Sequence, residues 1–148
     1  MEQASLSTLS PPLPQEKPRP PSAKGSLGAG GLALAVYLAT LSPSVGWYDS
    51  AEFSAAAVTW GIPHAPGYPI YTGLGWLLCQ LGADPALTMN ALSAASAALA
   101  VSLCWLLLRA LDASALGCWF GASLLAVSSW LWDNATPVSY THLRAHET

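Results

Sequence analysis

Between Lys24 and Arg109 the chain has no lysine or arginine, and its only carboxylates there are Asp49, Glu52 and Asp84. A soluble domain carries about 25% charged residues to keep its surface wet. This chain has 53% hydrophobic and 9% charged residues, with a mean hydropathy of +0.41. That balance excludes an ordinary soluble domain and reads as an all-α integral membrane protein. The net charge of -3 excludes a basic nucleic-acid surface. Cys79, Cys104 and Cys118 fall inside apolar runs, without metal-type spacing or a disulfide framework. The pair Asp49 and Glu52 stands out, since ionisable groups set among apolar spans mark functional sites by default.

Taken in order, residues 1–24 are rich in proline and serine and have little to bury, so a disordered tail is expected there. Lys17, Arg19 and Lys24 precede the first apolar run and keep this end cytoplasmic. Residues 27–45 approach the ~20 apolar residues a helix needs to cross a bilayer. In this first span Gly28, Gly31 and Ala35 offer a face of small residues for helix packing. Pro43 bends or ends the span, and Trp47 with Tyr48 mark the interface beyond it. Asp49 then emerges at the outer surface.

The outer loop, residues 46–86, opens on an alanine-rich helix that starts at Asp49 and stops at Trp60-Gly61, with Gly61 suited to the cap. Spacing of three lets Asp49 and Glu52 face the same way. Pro63, Pro66, Pro69 and Gly67 forbid regular helix and set a turn. Residues 70–81 are apolar but too short to span, and read as a helix lying in the interface. Residues 87–108 form a second span ending at Arg109, and residues 115–131 a third, with Trp130 and Trp132 at the outer interface.

Three strings then carry a resemblance: L-S-P-S-V-G-W-Y-D-S-A-E-F, G-I-P-H-A-P-G-Y-P-I-Y and M-N-A-L-S-A. Together they resemble the membrane family called domain of unknown function 2723, whose animal relatives are protein O-mannosyltransferases. The likeness covers about residues 41–133, with Ala51 and Ala65 standing where the family favours glycine and proline. The family is similar to the GT-C glycosyltransferases, which are multi-span helical bundles with an acidic pair in the first outer loop beside a lipid-linked sugar. The resemblance thus implies the N-terminal part, residues 25–138, of an enzyme moving a sugar, mannose among its relatives, from a polyprenyl phosphate to a hydroxyl. The acceptor is a protein or a glycan, the membrane lipid is the other partner, and no nucleic acid is involved. The expected location is a bacterial inner membrane, with the site on the periplasmic face.

Such transfer needs a general base near the acceptor and something to stabilise the departing phosphate. Asp49 is the candidate base, Glu52 the candidate for positioning the acceptor or helping to hold a divalent ion, and His64 a donor to phosphate or acceptor. Tyr68 and Tyr71 anchor the interface or stack on the sugar. With no lysine or arginine on this face, charge for the phosphate comes from elsewhere in the protein or from a divalent cation. Plainer readings stand beside these. Asp-x-x-Glu at a helix start is also a capping box, and a histidine between prolines stabilises a turn. The different-class alternative is a non-catalytic membrane protein, a transporter piece or assembly subunit. Residues 139–148, SYTHLRAHET, break the apolar pattern and read as a non-native tail on a fragment, so His142 and His146 are not taken as a metal site.

Overall fold

The computed structural model describes residues 23–46 and 49–136. They form six helices: α1 (Ala23–Ala39), α2 (Ser50–Thr59), α3 (Pro69–Cys79), α4 (Pro85–Ala110), α5 (Ala115–Ala126) and α6 (Ser129–Ala135). Among the described residues there is no strand. The expected all-helical class is therefore what the described residues adopt.

The axis of the molecule is α4. The Asp84 carboxylate accepts the Leu87 N–H at 2.9 Å and Pro85 occupies the first turn, where a missing N–H leaves nothing unsatisfied. At 26 residues α4 is about 39 Å long by helical rise, and it is long and apolar enough to cross a bilayer. Its neighbours fall short of that alone. The 17 residues of α1 reach about 26 Å, and α5 with α6 are apolar enough only as a pair bent by 61°.

These bounds differ from the apolar pattern in two places. The first helix runs over Ala23–Ala39 rather than 27–45, so Ala23 and Lys24 are helical, not part of the expected tail. It stops where Thr40 Oγ1 bonds the Val36 carbonyl, at 3.0 Å, ahead of Ser42 and Pro43. Proline lacks the N–H that would continue the ladder and pushes its predecessor out of the helical region. The third run, 115–131, breaks after Ala126. There Ser128 Oγ donates to the Leu125 carbonyl at 2.7 Å, and the Tyr37 hydroxyl donates to the Ala126 carbonyl at 2.8 Å. A side chain from α1 thus takes a carbonyl that a continuous helix would have used. The remaining expected tail segments, residues 1–22 and 139–148, and the Trp47–Tyr48 pair lie outside the described residues.

The face that α1 buries is also not the expected one. Ser26, Ala29, Gly30, Ala33 and Tyr37 point inward, whereas Gly28, Gly31 and Ala35 are exposed. Small side chains on both partners let the helices close. A Cβ on Gly30 would lie 1.8 Å from Ser102 Oγ and 3.0 Å from the Ala98 carbonyl oxygen, while one on Gly31 would touch nothing. Facing them, Ala94, Ala97, Ala98 and Val101 complete the core. The opposite side of α4 presents Leu99, Leu103 and Leu107, and α5 presents Leu116, Phe120 and Leu124, all exposed. Spacing of four puts each trio on one stripe, the pattern of a helix that faces an apolar surround.

α2 and α3 form a separate layer against the N-terminal end of α4. A Cβ on Gly75 would come 2.2 Å from Met89 Sδ and 3.4 Å from the Ala57 Cβ, so glycine is what lets α3 settle there.

Candidate functional site

α2 begins at Asp49, whose backbone carbonyl accepts the Phe53 N–H at 2.9 Å while its side chain makes no capping bond. Glu52, one turn on, does not reach back either. Its Oε1 accepts the backbone N–H of His64 at 2.7 Å, and its Oε2 lies 2.9 Å from His64 Nδ1. The reciprocal capping box that the Asp-x-x-Glu pattern permits is thus not formed. Both carboxylates are directed at the 61–68 loop instead, with His64 Nε2 3.6 Å from Asp49 Oδ2.

The loop is shaped by its ends. Trp60, not Gly61, takes the left-handed conformation that stops α2, at φ 56°. Tyr68 takes it again, at φ 43°, just before Pro69 starts α3. Between them the Gly67 N–H donates to the His64 carbonyl at 2.9 Å, and Gly67 itself sits at φ 88°, where an L side chain is strained. His64 therefore does hold a turn, as its plainer reading expects. Its ring does more.

Phe53 was not a candidate on sequence, yet it centres the site. Its ring meets Tyr68 and Tyr71 edge-on at 5.3 Å each and His64 at 5.9 Å. Edge-to-face contacts of this kind favour fixed ring orientations. His64 also packs on Tyr68 at 5.7 Å. Tyr71 is not a free interface anchor: its hydroxyl donates to the Met89 carbonyl at 3.1 Å and accepts from Ser93 Oγ at 2.7 Å. Tyr68 is exposed and packs beside the His64 ring. The structure so gathers all five expected site residues, with Tyr71 as a support behind the other four.

All three ionisable groups are open to water, their side chains 57% (Asp49), 46% (Glu52) and 41% (His64) exposed. The hydrogen bond from His64 holds the Glu52 carboxyl below its ordinary 4.5. The same bond, and then the charge of Asp49, pushes the imidazole above its ordinary 6.5. With Nδ1–H given to Glu52, a neutral ring would turn its Nε2 lone pair toward Asp49, and protonation replaces that repulsion by attraction. One ligand atom from each of Asp49, Glu52 and His64 lies within 4.8 Å of the others. Two carboxylates and an imidazole suit a divalent cation, which would compete with a proton for the ring nitrogen of His64.

Asn90 and Ser93, both in the M-N-A-L-S-A string, have no role that the sequence alone assigns. Their signal was polar residues within an apolar helix, which must find partners.

The described residues are all helix, loop and turn, with one helix long and apolar enough to cross a bilayer and exposed apolar stripes, the make-up of a membrane-associated protein in which two carboxylates and an imidazole converge. More particularly, the sequence profile of the protein O-mannosyl-transferase TMEM260 N-terminal domain matches residues 49–139, and the chain belongs to that family. The match begins at Asp49 itself. No solved structure matches the chain.

Proposed function

We propose that the chain is the N-terminal part of a multi-span GT-C-like glycosyltransferase. It transfers a sugar, mannose by the family's name, from a polyprenyl phosphate to a hydroxyl of a protein or glycan on the non-cytoplasmic face. The observation that carries the reading is the convergence of Asp49, Glu52 and His64 in a chain of a protein O-mannosyltransferase family. α4, the bent α5–α6 pair, and α1 together with the stretch that follows it to residue 45 are its three spans, while α2 and α3 lie at the outer interface of a bacterial inner membrane.

The roles follow from what each group is already doing. Glu52 is committed to His64 through two bonds, so its work is to orient the ring and the 61–68 loop. Asp49 has an uncapped, water-facing carboxylate, and is the group available to an acceptor. As the acceptor oxygen forms its bond to the sugar C1, the C1–O bond to phosphate breaks, Asp49 takes the hydroxyl proton, and polyprenyl phosphate leaves with the electron pair. His64, carrying a proton, donates to the phosphate or acceptor, and exposed Tyr68 stacks against the sugar with Tyr71 behind it. Where a divalent cation is used, Asp49, Glu52 and His64 would hold it, and it would supply positive charge for the phosphate, which no lysine or arginine in residues 25–108 provides.

The test is Asp49→Asn in the full-length protein. An amide keeps the size and cannot take a proton at neutral pH, and general-base catalysis is worth about 100 to 10,000-fold. Expression and donor binding should persist while transfer falls at least about a hundredfold. Transfer near the wild-type rate would overturn the assignment and favour a non-catalytic membrane role.

A further inference from the structure

We infer that Asn90, on α4, is a positioning residue that sets the place of Asp49 by holding the loop through which the chain enters α2. This rests on the reading of Asp49 as the base.

Asn90 is 3% exposed, and both hydrogens of its side-chain amide are used. Nδ2 donates to the Ser42 carbonyl at 3.0 Å and to the Ser44 carbonyl at 3.1 Å. Those carbonyls flank Pro43, which has no N–H to give. The loop's own bonds are weak, with Ser42 Oγ to the Ser44 carbonyl at 3.3 Å and the Ser44 N–H to Ser42 Oγ at 3.5 Å. One planar amide therefore fixes two carbonyls, of which the loop itself reaches only that of Ser44, and at a longer distance. The far end of the same loop is tied to α2, since the Gly46 N–H donates to Ser50 Oγ at 3.0 Å. Asp49 lies immediately before Ser50.

The chain of support runs from Asn90 through Ser42 and Ser44 to Gly46, Ser50 and Asp49. Glu52 stands outside it, because it sits a turn further into α2 and is bonded to His64 directly. Loss of the Asn90 amide should therefore separate Asp49 from His64 and leave Glu52 in place. A merely structural residue would weaken both or neither.

The experiment uses the full-length protein in lipid nanodiscs, with histidine labelled by nitrogen-15, the side-chain carboxyl of either aspartate or glutamate labelled by carbon-13, and the His64 signal assigned by its loss in His64→Gln. Dipolar recoupling then reads how close each kind of carboxyl lies to the His64 ring. In the wild type both should couple, since ring nitrogens lie 3.6 Å from Asp49 Oδ2 and 2.9 Å from Glu52 Oε2. Asn90→Ala should abolish the aspartate coupling, as Asp49→Asn does, and keep the glutamate coupling. In the transfer assay Asn90→Ala should reduce kcat by on the order of a hundredfold, as expected for a misplaced catalytic group, with KM for the lipid-linked sugar unchanged. An aspartate coupling that ignores Asn90→Ala, or loss of both couplings together, overturns the inference. If the couplings change as stated and transfer is unaffected, the positioning stands and the catalytic reading of Asp49 is the one that fails. Should Asn90→Ala not fold, Ser50→Ala cuts the same support at its half-buried end, and must abolish the aspartate coupling for the inference to survive.

Discussion

The two layers of the molecule are held by different physics. Where α1, α4, α5 and α6 meet, the buried surface is mostly alanine with Tyr37, Val101, Trp105 and Cys118, and few hydrogen bonds cross between helices. In an apolar surround there is no hydrophobic gain from such contact, so close approach of small residues is what binds helices together. Where α2 and α3 meet α4, polar ties dominate: Glu52 to His64, Tyr71 to Met89 and Ser93, and Asn90 to the entering loop. The first layer depends on the absence of atoms at its contacts. The second shares that need at Gly75 and adds particular donors and acceptors, and it is the one that carries the ionisable groups.

The sharpest way to break the contrast is to add atoms to the first layer. Gly30→Val should be the most damaging change, because its side chain meets Ser102 and the Ala98 backbone. Overpacking of this kind costs about 3 kcal/mol. Thermal unfolding in detergent should show the loss, and a melting curve like the wild type would mean that α1 does not close on α4 as described.

The second layer should yield instead to removal of a donor. Tyr71→Phe keeps the ring against Phe53 and deletes the bonds to Met89 and Ser93, at a cost of about 1 kcal/mol for a hydrogen bond. Amide exchange should quicken in α2 and α3 and stay as it was in α1. Uniform change through both regions would show that they are not separable. Smaller again is Gly31→Ala, where nothing lies within 4 Å. The substitution removes a residue about 1 kcal/mol worse than alanine in a helix, so stability should hold or rise slightly, opposite in sign to the change at Gly30.

What the sequence made legible follows the same division. The helical class, the α4 run and the candidacy of Asp49, Glu52 and His64 could be read from hydropathy and from short strings of residues, though not that His64 returns to meet the two carboxylates. The packing face of α1 could not. A stripe of glycines at 28 and 31 looks as suitable as Ala29, Gly30 and Ala33, and only the partner helix decides between them. The break after Ala126 was hidden for a similar reason, since the Tyr37 hydroxyl that takes the freed carbonyl lies far away in the chain. At the site, local spacing favoured a capping box, and it was the return of His64 on a proline-shaped loop that drew Glu52 away from the helix start. Tyr71 read as an interface residue because its partners sit on α4.

The least effect on global stability is expected from pH, though it is the most specific to the site. His64 has a raised folded value, so its contribution is fully present below its ordinary 6.5 and is lost as pH rises through the raised value. Glu52 has a lowered one, so its contribution is present above its ordinary 4.5 and is lost as pH falls through the lowered value. The tie between them is therefore complete between 4.5 and 6.5 and weakens on both sides. Both groups face water, where screening leaves such a pair little weight in overall stability. The melting temperature should hardly respond to pH across this range, whereas the protection factor of the His64 amide should peak within the window and fall above it. His64→Ala should flatten that profile at residue 64 and leave α1 and α4 untouched. A flat profile in the wild type, or one shared by α1, would mean that the Glu52 and His64 pair does not hold the loop.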